Sequence, residues 1–391
     1  MVELKKGIHW VGAVDWSIRN FHGYVTHRGT TYNAYLVVDE KVALVDTVKE
    51  PFFPDMMRRI EQVIDPEKID YLVSNHTEPD HSGSVTKFLE VAREAELIAS
   101  EKGKSGLQKY YDGDLSCTTI TEKPSIGLGT RTLQFIATPM LHWPDSMVTY
   151  IPEEKLLLSN DAFGQHLASS KRFDDEVDPA VVMQEASRYY ANIVMPLWRI
   201  VLRALDALGG LDIEMIAPSH GIIWRSDPGK IVEAYRRWAE GVASEKVVVV
   251  YDTMWGSTER VAKALVEGMV GEGVEVQLHR LSEAHNSDVI ADILDARAVL
   301  VGSPTLNNGL FPTVASFLTY LKGLRPKDKL GAAFGSYGWG GGAKRAAEAE
   351  LKATGIELIE SDLDFVFRPN SEELKKAAEF GREVAKRVKE S

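Results

Sequence analysis

From Lys246 onward the chain alternates apolar strand patterns with helical ones, and that rhythm limits its fold more than any other feature. Lys246 to Tyr251 reads Lys-Val-Val-Val-Val-Tyr, a β-branched run with no polar alternation. Such a strand suits a place covered on both faces, as in a parallel sheet flanked by helices. A helical run from Arg260 to Val270 follows. Further strand patterns lie at Val274 to Leu278, Ala298 to Gly302, Leu330 to Gly335 and Ile356 to Glu360, before a last helix from Glu372 to Val388. These strands with helices between them predict an open, five-stranded, doubly wound parallel sheet.

The preceding part of the α/β chain reads differently. Tyr32 to Val38 and Lys41 to Val45 flank Asp39-Glu40 as a hairpin. Helical patterns fall at Asp55 to Val63, Val85 to Arg93, Val181 to Ala191 and Pro228 to Val242. Strands and helices interspersed in this way are compatible with an αββα sandwich. The expected division is 1–244 and 245–391, and 391 residues suffice for two cores. The acid-rich stretch Arg172 to Pro179 is expected to be a solvated loop.

Composition excludes some functions. A formal net charge of −12 repels phosphates and disfavours a general nucleic-acid role. No apolar run approaches bilayer length, and Met1-Val2-Glu3-Leu4-Lys5-Lys6 opens no signal-peptide pattern. The lone cysteine, Cys117, fits a reducing compartment. A cytoplasmic chain without a membrane span is expected.

The densest chemistry lies in His76-Thr77-Glu78-Pro79-Asp80-His81, directly after the strand-like Tyr71-Leu72-Val73. Two imidazoles and two carboxylates on one strand-end loop can face two neighbouring coordination spheres. Nitrogen and oxygen donors without thiolate suit iron, manganese or zinc. Further candidates follow other apolar runs: His142 before Trp143-Pro144, Asp161 after Leu156 to Asn160, and His220 after Met215 to Ser219. If the sheet is suitably ordered, these loops open on one edge, where α/β proteins commonly place sites. Asp46 either braces the ligand loop from beneath or simply ends its strand.

The first strand–turn–helix unit of the later half carries phosphate-binding chemistry. Thr253, Ser257 and Thr258 offer hydroxyls, Gly256 permits a tight turn, and Met254 and Trp255 lie between them. The helix that follows begins with free amides and a positive dipole end. Gly-x-Gly-x-x-Gly and the Walker lysine are both missing, which disfavours a dinucleotide and a nucleoside triphosphate. Two later loops add Pro304, Thr305, Asn307 and Asn308, then Ser336, Tyr337, Gly338, Trp339 and Gly340. Trp255, Tyr337 and Trp339 are the candidates for stacking on a ring.

The order His-x-Glu-x-Asp-His, then His142, Asp161 and His220, resembles the flavodiiron proteins, a branch of the metallo-β-lactamase fold; the later half is similar to flavodoxins. The resemblance covers essentially the whole chain. It implies an N-terminal metallo-β-lactamase-like αββα sandwich holding two iron ions, and a flavodoxin-like domain binding FMN. His76, Glu78, His142 and Asp161 would hold the first iron; Asp80, His81, His220 and a bridging Asp161 the second. Hydrolytic relatives carry a second histidine where Glu78 stands, and the added carboxylate favours redox iron over zinc. No catalytic residue beyond the ligands is assigned.

The implied activity is reduction of dioxygen to water, nitric oxide to nitrous oxide, or both. A two-electron reduced flavin and a diferrous pair hold the four electrons that dioxygen needs, and two nitric oxide molecules need two. The chain ends soon after the flavodoxin-like half, so the minimal two-domain type with an external donor is expected. That donor is a rubredoxin or, as in some methanogen relatives, a reduced deazaflavin coenzyme. A head-to-tail homodimer or dimer of dimers is implied as well. Two alternatives stay open: a metallo-β-lactamase-type hydrolase fused to a flavodoxin, and a non-catalytic electron carrier or gas sensor. His22, His166, Tyr189 and Tyr190 either approach the metal pocket or pack structurally, while His9, His27, His279 and His285 show no identifiable chemistry.

Overall fold

The computed structural model describes residues 2–111 and 115–391; Met1, which opens the charged N-terminus, lies outside them. The chain divides into two compact units, one of 1–189 with 199–236 and another of 190–198 with 237–391.

Among the described residues, the first unit holds two large sheets, of seven and five strands. In the larger, Tyr35–Val38 pairs antiparallel with Val42–Val45, which runs parallel to Tyr71–Ser74, itself parallel to Glu96–Ala99. The alternation of side chains along these strands builds two layers. Tyr35, Val37, Ala43, Val45, Tyr71, Val73 and Ile98 meet Leu133, Phe135, Met147, Ile151, Leu156, Leu158, Met215 and Ala217 of the smaller sheet in one core. The intervening residues Leu36, Leu44, Leu72 and Leu97 point the other way, to a core shared with Met56, Ile60, Val85, Phe88 and Leu107 of the covering helices. The arrangement is the expected αββα sandwich.

Several local expectations shift. The strand expected over Tyr32 to Val38 is two strands, Thr30–Tyr32 and Tyr35–Val38. The chain leaves one pairing at Asn33, whose amide NH donates to the Ser219 carbonyl at 2.7 Å and whose side chain donates to the Pro218 carbonyl at 2.8 Å. Arg172 to Pro179 is not wholly solvated. Arg172, Phe173 and Asp174 are buried. The Arg172 guanidinium lies over the Trp10 ring at 4.5 Å, and Asp174 accepts from Ser226 Oγ at 2.5 Å and the Arg225 amide at 3.0 Å. Helices Glu101–Tyr110 and Trp198–Leu208 had no counterpart in the sequence reading.

In the second unit, Glu275–Arg280, Ser244–Tyr251, Ala296–Pro304 and Leu330–Tyr337 form a parallel sheet in that spatial order. The strand expected at Ile356 to Glu360 shrinks to Glu357–Leu358, and Asp364–Val366 adds a second short partner along Leu330–Tyr337. Helix Ser257–Gly271 starts earlier than its apolar pattern, because Gly256 takes φ +80° and turns the chain into it. That helix packs closely on Ser371–Glu390; an added Cβ at Gly268 would meet the Ala378 carbonyl oxygen at 2.0 Å. No helix among the described residues is long and apolar enough to cross a membrane.

Candidate metal centre and flavin pocket

Ligand-type residues of the first unit follow the carboxyl ends of strands in both sheets. His76 to His81 follow Tyr71–Ser74; His142 follows Thr132–Ala137; Asp161 follows Leu156–Asn160; His220 follows Met215–Pro218. The structure gathers them into two clusters. His76, Glu78, His142 and Asp161 offer donor atoms within 4.8 Å of one another, as do Asp80, His81 and His220. Asp161 lies between them. Its Oδ2 is 3.1 Å from Nε2 of His142 and 3.6 Å from Nε2 of His76, while its Oδ1 is 3.0 Å from Nε2 of His81 and 3.4 Å from Nε2 of His220.

The charge pattern fits cations. Both oxygens of Asp80 are buried and accept no hydrogen bond in the geometry present, yet Oδ2 lies 3.1 Å from Nε2 of His220. Burial alone would lower the pKa of His76, but bonds to Asp145 and Glu78 hold it up at about 10. Against the same burial, Asp161 and Glu78 raise His142 to about 10, and Asp80 and Asp161 raise His81 to about 9. Asp161 itself stays well below the usual carboxylate range despite burial, because His81 and His142 face it. Three carboxylates with four imidazoles thus make an excess of negative charge, which protons offset and metal ions replace.

Residues behind the donors aim them. His76 Nδ1 meets Asp145 at 2.9 Å, which turns Nε2 inward. His220 Nδ1 donates to the Thr31 carbonyl at 2.7 Å, and Ser219 Oγ donates to Asp161 at 2.9 Å. Asp46 accepts from the Asn75 amide at 2.7 Å and from the Asn160 side chain at 3.3 Å, tying two ligand loops together from beneath. The positions of Asp145 and Ser219 next to ligand motifs were visible in the sequence, but their bonds span 69 and 58 residues and carried no local signal.

His22 Nε2 lies 2.7 Å from Glu78 Oε1. His166 is buried, held by Tyr24 at 2.7 Å and Thr30 at 2.8 Å, and its ring lies 4.8 Å from that of His220. Tyr189 packs 5.0 Å from the His166 ring, whereas Tyr190, within the second unit, lies tilted 5.1 Å from the Trp238 ring.

In the second unit, the loops after three successive strands enclose a cavity of about 590 Å³. Thr253, Met254, Trp255, Ser257, Pro304, Thr305, Asn307, Asn308 and Ser336 to Gly340 line it. Gly256 and Thr258 do not: Gly256 makes the turn, and Thr258 is buried with Oγ1 2.9 Å from Ser336 Oγ, joining the first loop to the third. Leu306, within the second expected loop, also lines the cavity, as does Phe367, which lies outside all three expected loops. Phe367 follows the short strand Asp364–Val366, whose pattern was too brief to place it. Trp255 is 94 % exposed and Trp339 96 %, an unusual setting for such rings. The volume, the helix start after Gly256 and these rings suit a phosphorylated aromatic ligand.

Comparison with known proteins decides the family. Residues 30–221 match the family model described as ODP family beta lactamase, and residues 249–381 match Flavodoxin. The chain is 54 % identical to a protein of Moorella thermoacetica named nitric oxide reductase, over 99 % of this chain and 98 % of that one. It superposes on the flavodiiron protein from Giardia intestinalis with a TM-score of 0.97 at 37 % identity, covering 99 % of this chain and 96 % of that one. The chain belongs to the flavodiiron proteins. Rubredoxin oxygen:oxidoreductase from Desulfovibrio gigas matches equally well in shape, with a TM-score of 0.97 at 39 % identity over 100 % of this flavodiiron chain and 98 % of the other.

Proposed function

We propose that this flavodiiron protein reduces dioxygen, nitric oxide or both at a pair of irons held by its first unit, with electrons passed through FMN in its second. The observation that carries the reading is Asp161, whose two oxygens each face a different pair of imidazoles. His76, Glu78 and His142 complete one position; Asp80, His81 and His220 complete the other. Membership of an oxidoreductase family leaves the hydrolase and electron-carrier alternatives without support.

When bound, an iron pair supplies adjacent redox centres with open positions for the gas, and FMN supplies the electrons that restore them. The protein's own task is positional. Asp145, Thr31 and Ser219 fix donor orientation. Burial of six of the seven donors, with His142 partly exposed, limits bulk water at the gas site, and His22, bonded to Glu78 and largely in solvent, connects the cluster to water. Gly256 and the start of Ser257–Gly271 receive the phosphate, while Trp255, Tyr337 and Trp339 offer ring faces.

The functional division is set at 1–244 and 245–391. An external donor, a rubredoxin, delivers electrons, and the buried lone Cys117 supports a cytoplasmic setting. A head-to-tail homodimer is supported by the exposed Trp255, Trp339 and Phe367 around the flavin pocket, an apolar rim suited to a second copy. Anaerobic assay of iron and flavin content, followed by turnover with each gas and reduced rubredoxin, tests the assignment. Two irons and one FMN per chain with rapid gas consumption are expected; zinc occupancy without gas consumption would refute it. Sedimentation of the holoenzyme tests the dimer.

A further inference from the structure

The two donor clusters are supported differently, and the difference falls on their imidazoles. His76 gives its Nδ1–H to the carboxylate of Asp145 at 2.9 Å. His220 gives its Nδ1–H to the backbone carbonyl of Thr31 at 2.7 Å. One Nε2 is backed by a full negative charge, the other by a peptide dipole. Asp145 is 5 % exposed, so water screens that charge little.

Opposing influences are weaker. His22 bonds to Glu78 in the first cluster, but 66 % of its side chain is exposed. Asp46 acts on His81 in the second cluster without a hydrogen bond to its Nδ1, and its carboxylate accepts from Asn75 and Asn160; Asp145 also accepts from Thr77 but bonds His76 directly. Ser219 donates to the Asp161 oxygen that faces the second cluster, drawing donor strength from that side. It therefore works in the same direction as Asp145.

We propose that Asp145 makes the two metal positions unequal, so that an iron held by His76 is the harder of the two to reduce. The inference rests on the diiron reading above. A carboxylate behind an imidazole raises its basicity as a ligand, and a more basic donor favours ferric over ferrous iron. An iron held by Asp80, His81 and His220 would accept the first electron from reduced flavin, and one held by His76 the second. Asp145 is a positioning residue that acts through His76.

Two substitutions of opposite sign test this. Asp145→Asn keeps the shape and removes the charge. Thr77→Val removes the hydroxyl bond that Asp145 accepts at 2.9 Å, leaving more of its charge for His76. In anaerobic redox titrations of the iron- and flavin-loaded protein, Asp145→Asn is expected to raise the lower iron potential by about 60 mV for each tenfold loss of ferric preference. Thr77→Val is expected to move it down by less. Shifts in the same direction, or none, overturn the inference. Should Asp145→Asn not fold, the unsubstituted protein can still overturn the inference. Its half-reduced pair is expected to show one trapped ferric and one ferrous iron by Mössbauer spectroscopy, and equal, delocalised valence overturns the proposal. Fewer than two irons in the unsubstituted protein would instead sink the diiron reading, so the two failures are distinct.

Discussion

The metal cluster and the flavin pocket both sit at the carboxyl ends of strands, yet they are made of opposite materials. The candidate metal donors are side chains buried or nearly so, and several rest on partners distant in sequence: Asp145 behind His76, Thr31 behind His220, and Asp46 joining the ligand loops through Asn75 and Asn160. The flavin pocket is made of loop tips, with two of its largest rings almost wholly in solvent. Buried charge tolerates little misplacement, because an uncompensated ion in the interior is costly. An open pocket can rely on backbone turns and ring faces. The first region should therefore fail abruptly when one group is removed, and the second should lose affinity by degrees.

The sharpest test is Asp161→Ala. It removes the one carboxylate that faces both clusters, so both metal positions lose affinity together. The expected loss exceeds the roughly 10–100-fold seen for outer-shell partners, and activity goes with it. Flavin should remain bound at full stoichiometry. Iron content and flavin absorbance of the purified variant read both at once, and retention of one iron would show that Asp161 does not join the positions.

Alkaline pH separates the two units by sign. Burial pushes the Lys329 ammonium in the second unit from 10.5 down to about 8. Its folded pKa is below its unfolded one, so between pH 8 and 10.5 the unfolded chain holds more protons and stability rises with pH. Burial pushes the Cys117 thiol in the first unit from 9.0 up to about 11. Its contribution is fully present below pH 9 and is lost as pH climbs to 11. Each slope is at most about 1.4 kcal/mol per pH unit. Denaturant melts across this range should lose the rise in Lys329→Met and the fall in Cys117→Ala; slopes of the same sign from both sites would contradict the burial argument.

Gly268→Ala places a methyl group where the Ala378 carbonyl stands, between Ser257–Gly271 and Ser371–Glu390. Overpacking of this kind costs about 1–3 kcal/mol. Thermal unfolding followed by flavin release should shift downward while the iron content of folded protein stays at the parental value.

How far the sequence disclosed these regions follows from the range of the forces involved. The sheet of the second unit was readable because Lys246 to Tyr251 and its successors carry burial in their own composition. Seven metal-type donors were visible because histidines and carboxylates crowd at strand ends. Asp145 stood three residues from His142 and gave no hint that it orients His76, since that bond closes 69 residues of chain. Arg172 to Pro179 misled for the same reason: its charges look solvated until Trp10 and Ser226 fold against them. Phe367 escaped because the strand that leads to it spans only three residues.

The gentlest test concerns the pocket rim. Trp255→Ala and Trp339→Ala remove rings that are 94 % and 96 % exposed and therefore contribute little to folding. Melting of the apoprotein should stay within about 0.5 kcal/mol of the parent. If each ring stacks on the isoalloxazine, its loss should weaken FMN binding by about 0.5–1.5 kcal/mol, or roughly 2–13-fold in Kd. Fluorescence titration of apoprotein with FMN gives the constant directly, and a free phosphate competitor separates ring from phosphate contributions. Unchanged affinity in both variants, with dimerisation weakened instead, would assign these rings to the partner surface rather than to the flavin.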